Sequence, residues 1–168
     1  MEIFIVLIIC GFVIWVVLNQ KWQAPTTTQA DKKTLHAYET RGNIFVNQAE
    51  NAFFYALIRH MPRGFHVFTK VRLEDVLRVR LDIKDQRLKW QYRGRIKSRH
   101  VDFVICKGDG SFVCAIELDG SSHKTAQAEL SDSFKDAIFS HAQFPLYRLQ
   151  TGDDFDAYAK GLWNNIQK

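Results

Sequence analysis

From Ile3 to Leu18 the chain runs sixteen residues without a charge, IFIVLIICGFVIWVVL, and all but Gly11 are strongly apolar. As a helix this run spans roughly 24 Å, a little short of a ~30 Å hydrocarbon core. Met1, Asn19, Gln20 and the amphipathic Trp22 bring it close to a full span. A cleaved signal peptide would carry a basic start and a small-residue cleavage site. Here Glu2 is the one charge before the run, and no such site follows it. A water-soluble helix would have to hide Phe, Ile, Val and Trp on every face. Residues 1–22 are therefore expected to form a transmembrane anchor, with residues 3–18 in the bilayer. Lys21, Lys32 and Lys33 follow the span and no Lys or Arg precedes it, so the positive-inside rule puts the C-terminal part in the cytoplasm. The expected location is the cell membrane, single-pass.

After the run the chain changes character. Residues 23–35 are mostly polar, contain Pro25 and lack apolar periodicity, so they read as a linker. Residues 36–168 then read as one domain. Ala49, Phe53, Leu57 and Met61 recur every four residues and predict a helix near 47–61, ended by Pro62-Arg63-Gly64. His66 to Leu73 alternates like a strand. Glu74 to Leu81 reads as a short helix, whereas 82–97 is polar, basic and fits no period. Strands follow at His100–Lys107 and Phe112–Asp119, joined by the hairpin signal Lys107-Gly108-Asp109-Gly110. A loop at Gly120–His123, a helix near 125–142, a strand at Pro145–Leu149 and a terminal helix to Ile166 complete the chain. The order predicts an α/β fold, a mixed β-sheet flanked by helices. Cys10, Cys106 and Cys114 are the only cysteines, too few for a disulfide scaffold.

The net charge of +5 conceals an opposition. Residues 59–100 carry thirteen Lys and Arg against four acids, while 101–168 carry six against ten. A basic middle beside an acidic centre suits a domain that draws in a polyanion and holds a cation. Arg93, Arg95, Lys97 and Arg99 are the densest part of the basic stretch and the expected nucleic-acid contacts. Anionic lipid beside the anchor is a competing partner for the same charges.

The acidic residues are the chemically informative ones. Asp102 interrupts the apolar strand Val101–Cys106, on the face opposite Val101, Phe103 and Ile105. On the next strand Ala115, Glu117 and Asp119 share one face. If the two strands pair, three carboxylates converge at one end of the sheet. Like charges that close require a compensating cation, and oxygen ligands suit Mg²⁺ or Mn²⁺. Structural alternatives stay open: Glu50 completes a capping-box pattern with Asn47, Asp119 shapes a turn, and His123 caps the following helix.

The run HVDFVIC, a turn, AIELDGSSH and a later helical Asp132 resemble the PD-(D/E)xK nuclease superfamily. Within it the sequence is similar to domain of unknown function family 2726, a relative of the very-short-patch-repair endonucleases. The resemblance spans about 45–150 and implies a restriction-endonuclease-like αβββαβ core with the acids grouped at the sheet's edge. It implies a family glutamate at Glu50, metal ligation by Glu50, Asp102 and Glu117, and catalytic roles for Asp102, Glu117, Asp119, His123 and Lys135. The usual E-x-K lysine is replaced by Asp119, as in repair-type relatives; Lys124 and Lys135 are the candidate substitutes. The expected function is metal-dependent hydrolysis of phosphodiester bonds in nucleic acid, DNA first. The alternative is an inactive nucleic-acid-binding or interaction domain of the same fold.

Overall fold

β-Branched and aromatic residues recur in the first three strands, and the sheet organises everything else. In the computed structural model, which describes residues 37–120 and 126–167, four strands stand in the order β1 (Phe65–Arg72), β2 (His100–Lys107), β3 (Phe112–Asp119) and β4 (Leu146–Gln150). β1 pairs with β2 and β2 with β3 in antiparallel fashion, and β3 with β4 in parallel. The sheet is thus mixed, as expected. The apolar run at 3–18, the linker at 23–35 and the loop carrying His123 and Lys124 lie outside the described residues. Among the described residues no helix is long and apolar enough to cross a membrane.

The β2–β3 hairpin closes as its turn residues require. Gly110 takes φ +85°, its N–H donates to the Lys107 carbonyl at 2.9 Å, and Lys107 donates to Ser111 at 2.8 Å. A bulge between Ile105 and Cys106 then shifts the ladder.

Helices cover both faces. On one, α1 (Gln48–His60) and the terminal α5 (Phe155–Ile166) pack Phe53, Leu57, Leu162 and Trp163 against Phe103, Ile105 and Ile116. Trp163 is 2% exposed and its indole N–H donates to the Leu57 carbonyl at 2.9 Å, so the aromatic anchor satisfies its polar atom while joining α5 to α1. On the other face α4 (Ala126–His141) brings Phe139 against Val104, Cys106 and Ala115. Asp154 caps α5 by accepting the N–H groups of Asp156 and Ala157 at 3.1 and 3.0 Å. Asp154→Ala is expected to cost about 1 kcal/mol in urea unfolding, the usual value of an N-cap.

Three expectations change. The helix after β1 is only one turn, α2 (Leu73–Val76), because Leu73 alone among its residues is buried. The unassigned basic stretch contains a real helix, α3 (Gln86–Ile96), capped by Asp85, whose carboxylate accepts from Arg87 and Leu88 N–H at 2.7 and 3.2 Å. Ile96 is its one buried residue, so an apolar stripe was missing from the sequence. Strict alternation also fails on β2: Val101 packs with Val104 and Cys106, while Phe103 and Ile105 pack on the other side. The break falls at Asp102.

Candidate active site

β2 and β3 part company where their acids lie. The ladder pairs Phe103 with Ile116, and one step further puts Asp102 opposite Glu117. There the Asp102 side chain takes over part of the backbone's role, its Oδ2 accepting the Leu118 N–H at 3.0 Å. Glu50 enters from the start of α1. Asn47 Oδ1 accepts the Glu50 N–H at 2.9 Å, and Glu50 Oε2 accepts the Val46 N–H at 2.9 Å, a capping arrangement that leaves Oε1 facing the sheet. Glu50, Asp102 and Glu117 are 6, 9 and 6% exposed, and among the described residues they are the buried polar or charged side chains. A buried carboxylate is costly unless it is paired, and no packing requirement calls for three of them together.

Two lysines supply the pairing. Lys70 of β1 donates to Glu50 Oε1 at 2.9 Å and to Asp102 Oδ1 at 2.8 Å, bridging α1 to β2. Its backbone sits at φ +53°, a left-handed conformation that costs a side-chain-bearing residue roughly 1–2 kcal/mol. Burial pulls the Lys70 ammonium down, but its hydrogen bonds to Asp102 and Glu50 outweigh that and hold it above the usual lysine range. Lys135 reaches across from α4 and donates to Glu117 Oε1 at 2.7 Å, with Asp132 Oδ1 3.8 Å from the same nitrogen. Burial nonetheless pushes the Glu117 carboxyl up to about 7; Lys135 and Arg148 pull it back, and the neighbouring charge of Asp102 adds to the rise.

Asp119 occupies a separate knot. Arg148 of β4 donates to Asp119 Oδ1 at 2.8 Å and to Asp136 Oδ1 at 2.9 Å, and its Nη2 lies 3.9 Å from Asp132. This tie fixes β4 to β3 and to α4 along the site's margin.

The fold therefore brings Glu50, Asp102, Glu117 and Lys135 together, holds Asp119 beside them on Arg148, and leaves His123 outside the described residues. Lys70 and Arg148 are the participants that sequence reasoning misses. Lys135 lies downstream of Glu117, where a substitute for the E-x-K lysine is expected, whereas Lys70 lies upstream and meets Asp102 only through β1–β2 pairing. Of the expected nucleic-acid contacts, Arg93 and Arg95 sit exposed on α3, and Lys97 and Arg99 follow it. Arg93 donates to Glu74 Oε1 at 2.8 Å. Arg99 donates to the Arg95 carbonyl and lies over the Phe134 ring, 4.9 Å from its centroid.

Among the described residues no three His, Cys, Asp or Glu side chains group closely enough to hold a metal ion. Asp102 and Glu117 still suit Mg²⁺, which is commonly held by one or two carboxylates while keeping several waters. Burial raises Glu117 and the charge of Asp102 adds to the rise, a cost that a divalent ion there would relieve. Glu50 is one step removed, joined to Asp102 through Lys70.

A mixed α/β domain with a buried carboxylate–lysine cluster at one end of its sheet is the class that fold and site define. The chain belongs to the family described as "Protein of unknown function (DUF2726)", which matches residues 42–165. No curated protein and no solved structure matches it.

Proposed function

We propose that the domain is a metal-dependent nuclease of the PD-(D/E)xK kind, related to the very-short-patch-repair endonucleases and restriction-endonuclease-like in fold. The observation that carries this reading is the convergence of three buried carboxyl side chains, Glu50, Asp102 and Glu117, on two lysines at one end of the sheet. The order α1-β1-β2-β3-α4-β4, interrupted by α2 and α3, supports it. Asp102 and Glu117 would hold Mg²⁺ or Mn²⁺, with Glu50 supporting through Lys70. When bound, the ion supplies a water of lowered pKa and neutralises charge on the scissile phosphate. Lys135, fixed against Glu117, is placed to orient that water and to stabilise charge developing on the phosphate. His123, four residues after Asp119 in the sequence, and Asp119 are the remaining candidates for proton transfer and for shaping the site. The basic stretch of 59–100 would hold backbone phosphates of DNA. Residues 3–18 would tether the domain to the cytoplasmic face of the cell membrane.

A second reading has its own observation. Each of the three carboxylates already has an ammonium within hydrogen-bond distance, so the cluster is compensated without a metal ion, as it would be in a binding domain of the same fold without turnover. The full chain incubated with supercoiled plasmid and with oligonucleotides, in Mg²⁺, Mn²⁺ or EDTA, separates the two. The nuclease reading expects nicked product only with a divalent ion. Retardation without product in every condition leaves the binder. If neither product nor retardation forms even at about 50 mM salt, where phosphate contacts are strongest, both are wrong.

A further inference from the structure

The loop and helices inserted between β1 and β2 build a feature that the carboxylate site does not use. A cleft of about 310 Å³ opens between residues 74–79 and α3, with Trp90, Lys89, Arg93 and Arg78 on its walls. Its size falls at the lower end of the ~300–1,000 Å³ of small-ligand pockets. Trp90 is 65% exposed, an unusual position for the largest apolar side chain on a helix whose one buried residue is Ile96. The Arg93 guanidinium lies 5.5 Å from the Trp90 ring centroid and is tied back to Glu74, so ring and charge are mutually positioned. Arg78 and Lys89 make no ion pair among the described residues. Glu74 Oε2 is buried without a hydrogen-bond partner, so the cleft wall holds an acceptor that the chain itself leaves unsatisfied.

We infer that this cleft captures one unpaired nucleotide of a single strand, its base stacked on Trp90 and its phosphate held by Arg78 and Lys89. The inference rests on the nucleic-acid reading above and names the form of its substrate. Aromatic side chains interleaved with unpaired cations are the ordinary platform for single strands, since every base offers a π-face and every linkage a charge. A base inside a duplex could not enter a cleft, because its faces are covered and its edge is paired. Glu74 in the cleft wall follows Lys70 of the carboxylate site by four residues, at most about 14 Å of extended chain. A nucleotide held here keeps its neighbours within reach of Asp102 and Glu117.

The test measures binding of the full chain to a fluorescent single strand and to the duplex of the same sequence, in EDTA so that no cleavage intervenes. Wild type is compared with Trp90→Ala and Trp90→Phe. The expected result is single-strand affinity about tenfold or more weaker in Trp90→Ala. Duplex affinity should be nearly unchanged, Trp90→Phe should recover most of the loss, and thermal unfolding should match wild type. Equal affinity of Trp90→Ala and wild type for the single strand overturns the inference while leaving the nuclease reading intact. So does an equal loss on both substrates, which would mark Trp90 as a general surface contact. If the wild type binds neither substrate, the nucleic-acid reading itself falls and takes the cleft with it.

Discussion

Glu117→Gln is expected to abolish divalent-ion-dependent cleavage, lowering the rate by more than about 100-fold. Loss of a residue that merely orients a metal ligand costs about 10–100-fold, and Glu117 is placed as a ligand itself. The same substitution carries a second signature that does not depend on turnover. Burial, helped by the charge of Asp102, pushes the Glu117 carboxyl up to about 7, from the 4.5 it has in an unfolded chain. Between those values the folded domain keeps a proton that the unfolded chain has lost. Stability therefore falls as pH rises through the window, and the loss is complete above about 7. Gln does not titrate, so its stability relative to wild type should improve between pH 5 and pH 8. At about 1.4 kcal/mol per pH unit the gain is at most about 3 kcal/mol. The slope with pH is the quantity to compare, because removing the partner of Lys135 shifts the baseline of the variant. Urea unfolding in EDTA at the two pH values measures it. A Gln variant that cleaves like wild type removes Glu117 from the site, and a flat difference with pH shows that the carboxyl is not held protonated. Cleavage by wild type should rise across the same pH range, as the carboxylate forms.

Much of this was legible because the residues concerned lie on strands. Asp102 and Glu117 stood out as charges inside apolar, period-two segments, and the hairpin between them followed from Lys107-Gly108-Asp109-Gly110. Antiparallel pairing then did the rest, with Phe103 against Ile116 leaving the two acids next to each other where the ladder ends. Helix α1 was readable from Phe53 and Leu57, and Glu50 proved to serve the cap and the cluster together. What escaped detection was non-local or lacked an apolar pattern. Helix α3 carries a single buried side chain and is held by the Asp85 cap, so no 3.6-residue stripe announces it. Lys70 sits at an outward position of β1 by simple alternation. Its φ of +53° turns the local backbone away from the strand conformation, a deviation that no residue type other than Gly signals in advance. Arg148 finds Asp119 and Asp136 through a parallel β3–β4 pairing separated by a whole helix.

Lys70→Met should destabilise the domain by about 3–5 kcal/mol, the usual consequence of deleting one member of a buried ionic cluster. The substitution keeps the length and the strained backbone but removes the donor that Glu50 Oε1 and Asp102 Oδ1 share. Both carboxylates then stay buried, at 8 and 12% side-chain exposure, with a net charge of −2 where it was −1. Because those hydrogen bonds hold the ammonium above its ordinary 10.5, its contribution is present throughout neutral pH and is lost only as pH rises through the folded value. The loss in Lys70→Met should thus be similar at pH 6 and pH 8, in contrast to the slope expected at Glu117. Lys70→Gly removes the same charge but relaxes the left-handed backbone, so it should be less damaged than Lys70→Met by about 1 kcal/mol. Divalent ions distinguish the role of the lysine from simple bracing. With the ammonium gone, Asp102 loses its cation at the position it would share with Glu117, so Mn²⁺ should raise the melting temperature of Lys70→Met more than that of wild type. A Met variant as stable as wild type in EDTA would mean that the Glu50–Lys70–Asp102 bridge does not hold α1 to the sheet. A destabilised variant indifferent to Mn²⁺ would mean that the bridge braces the fold and the carboxylates beneath it do not take a cation.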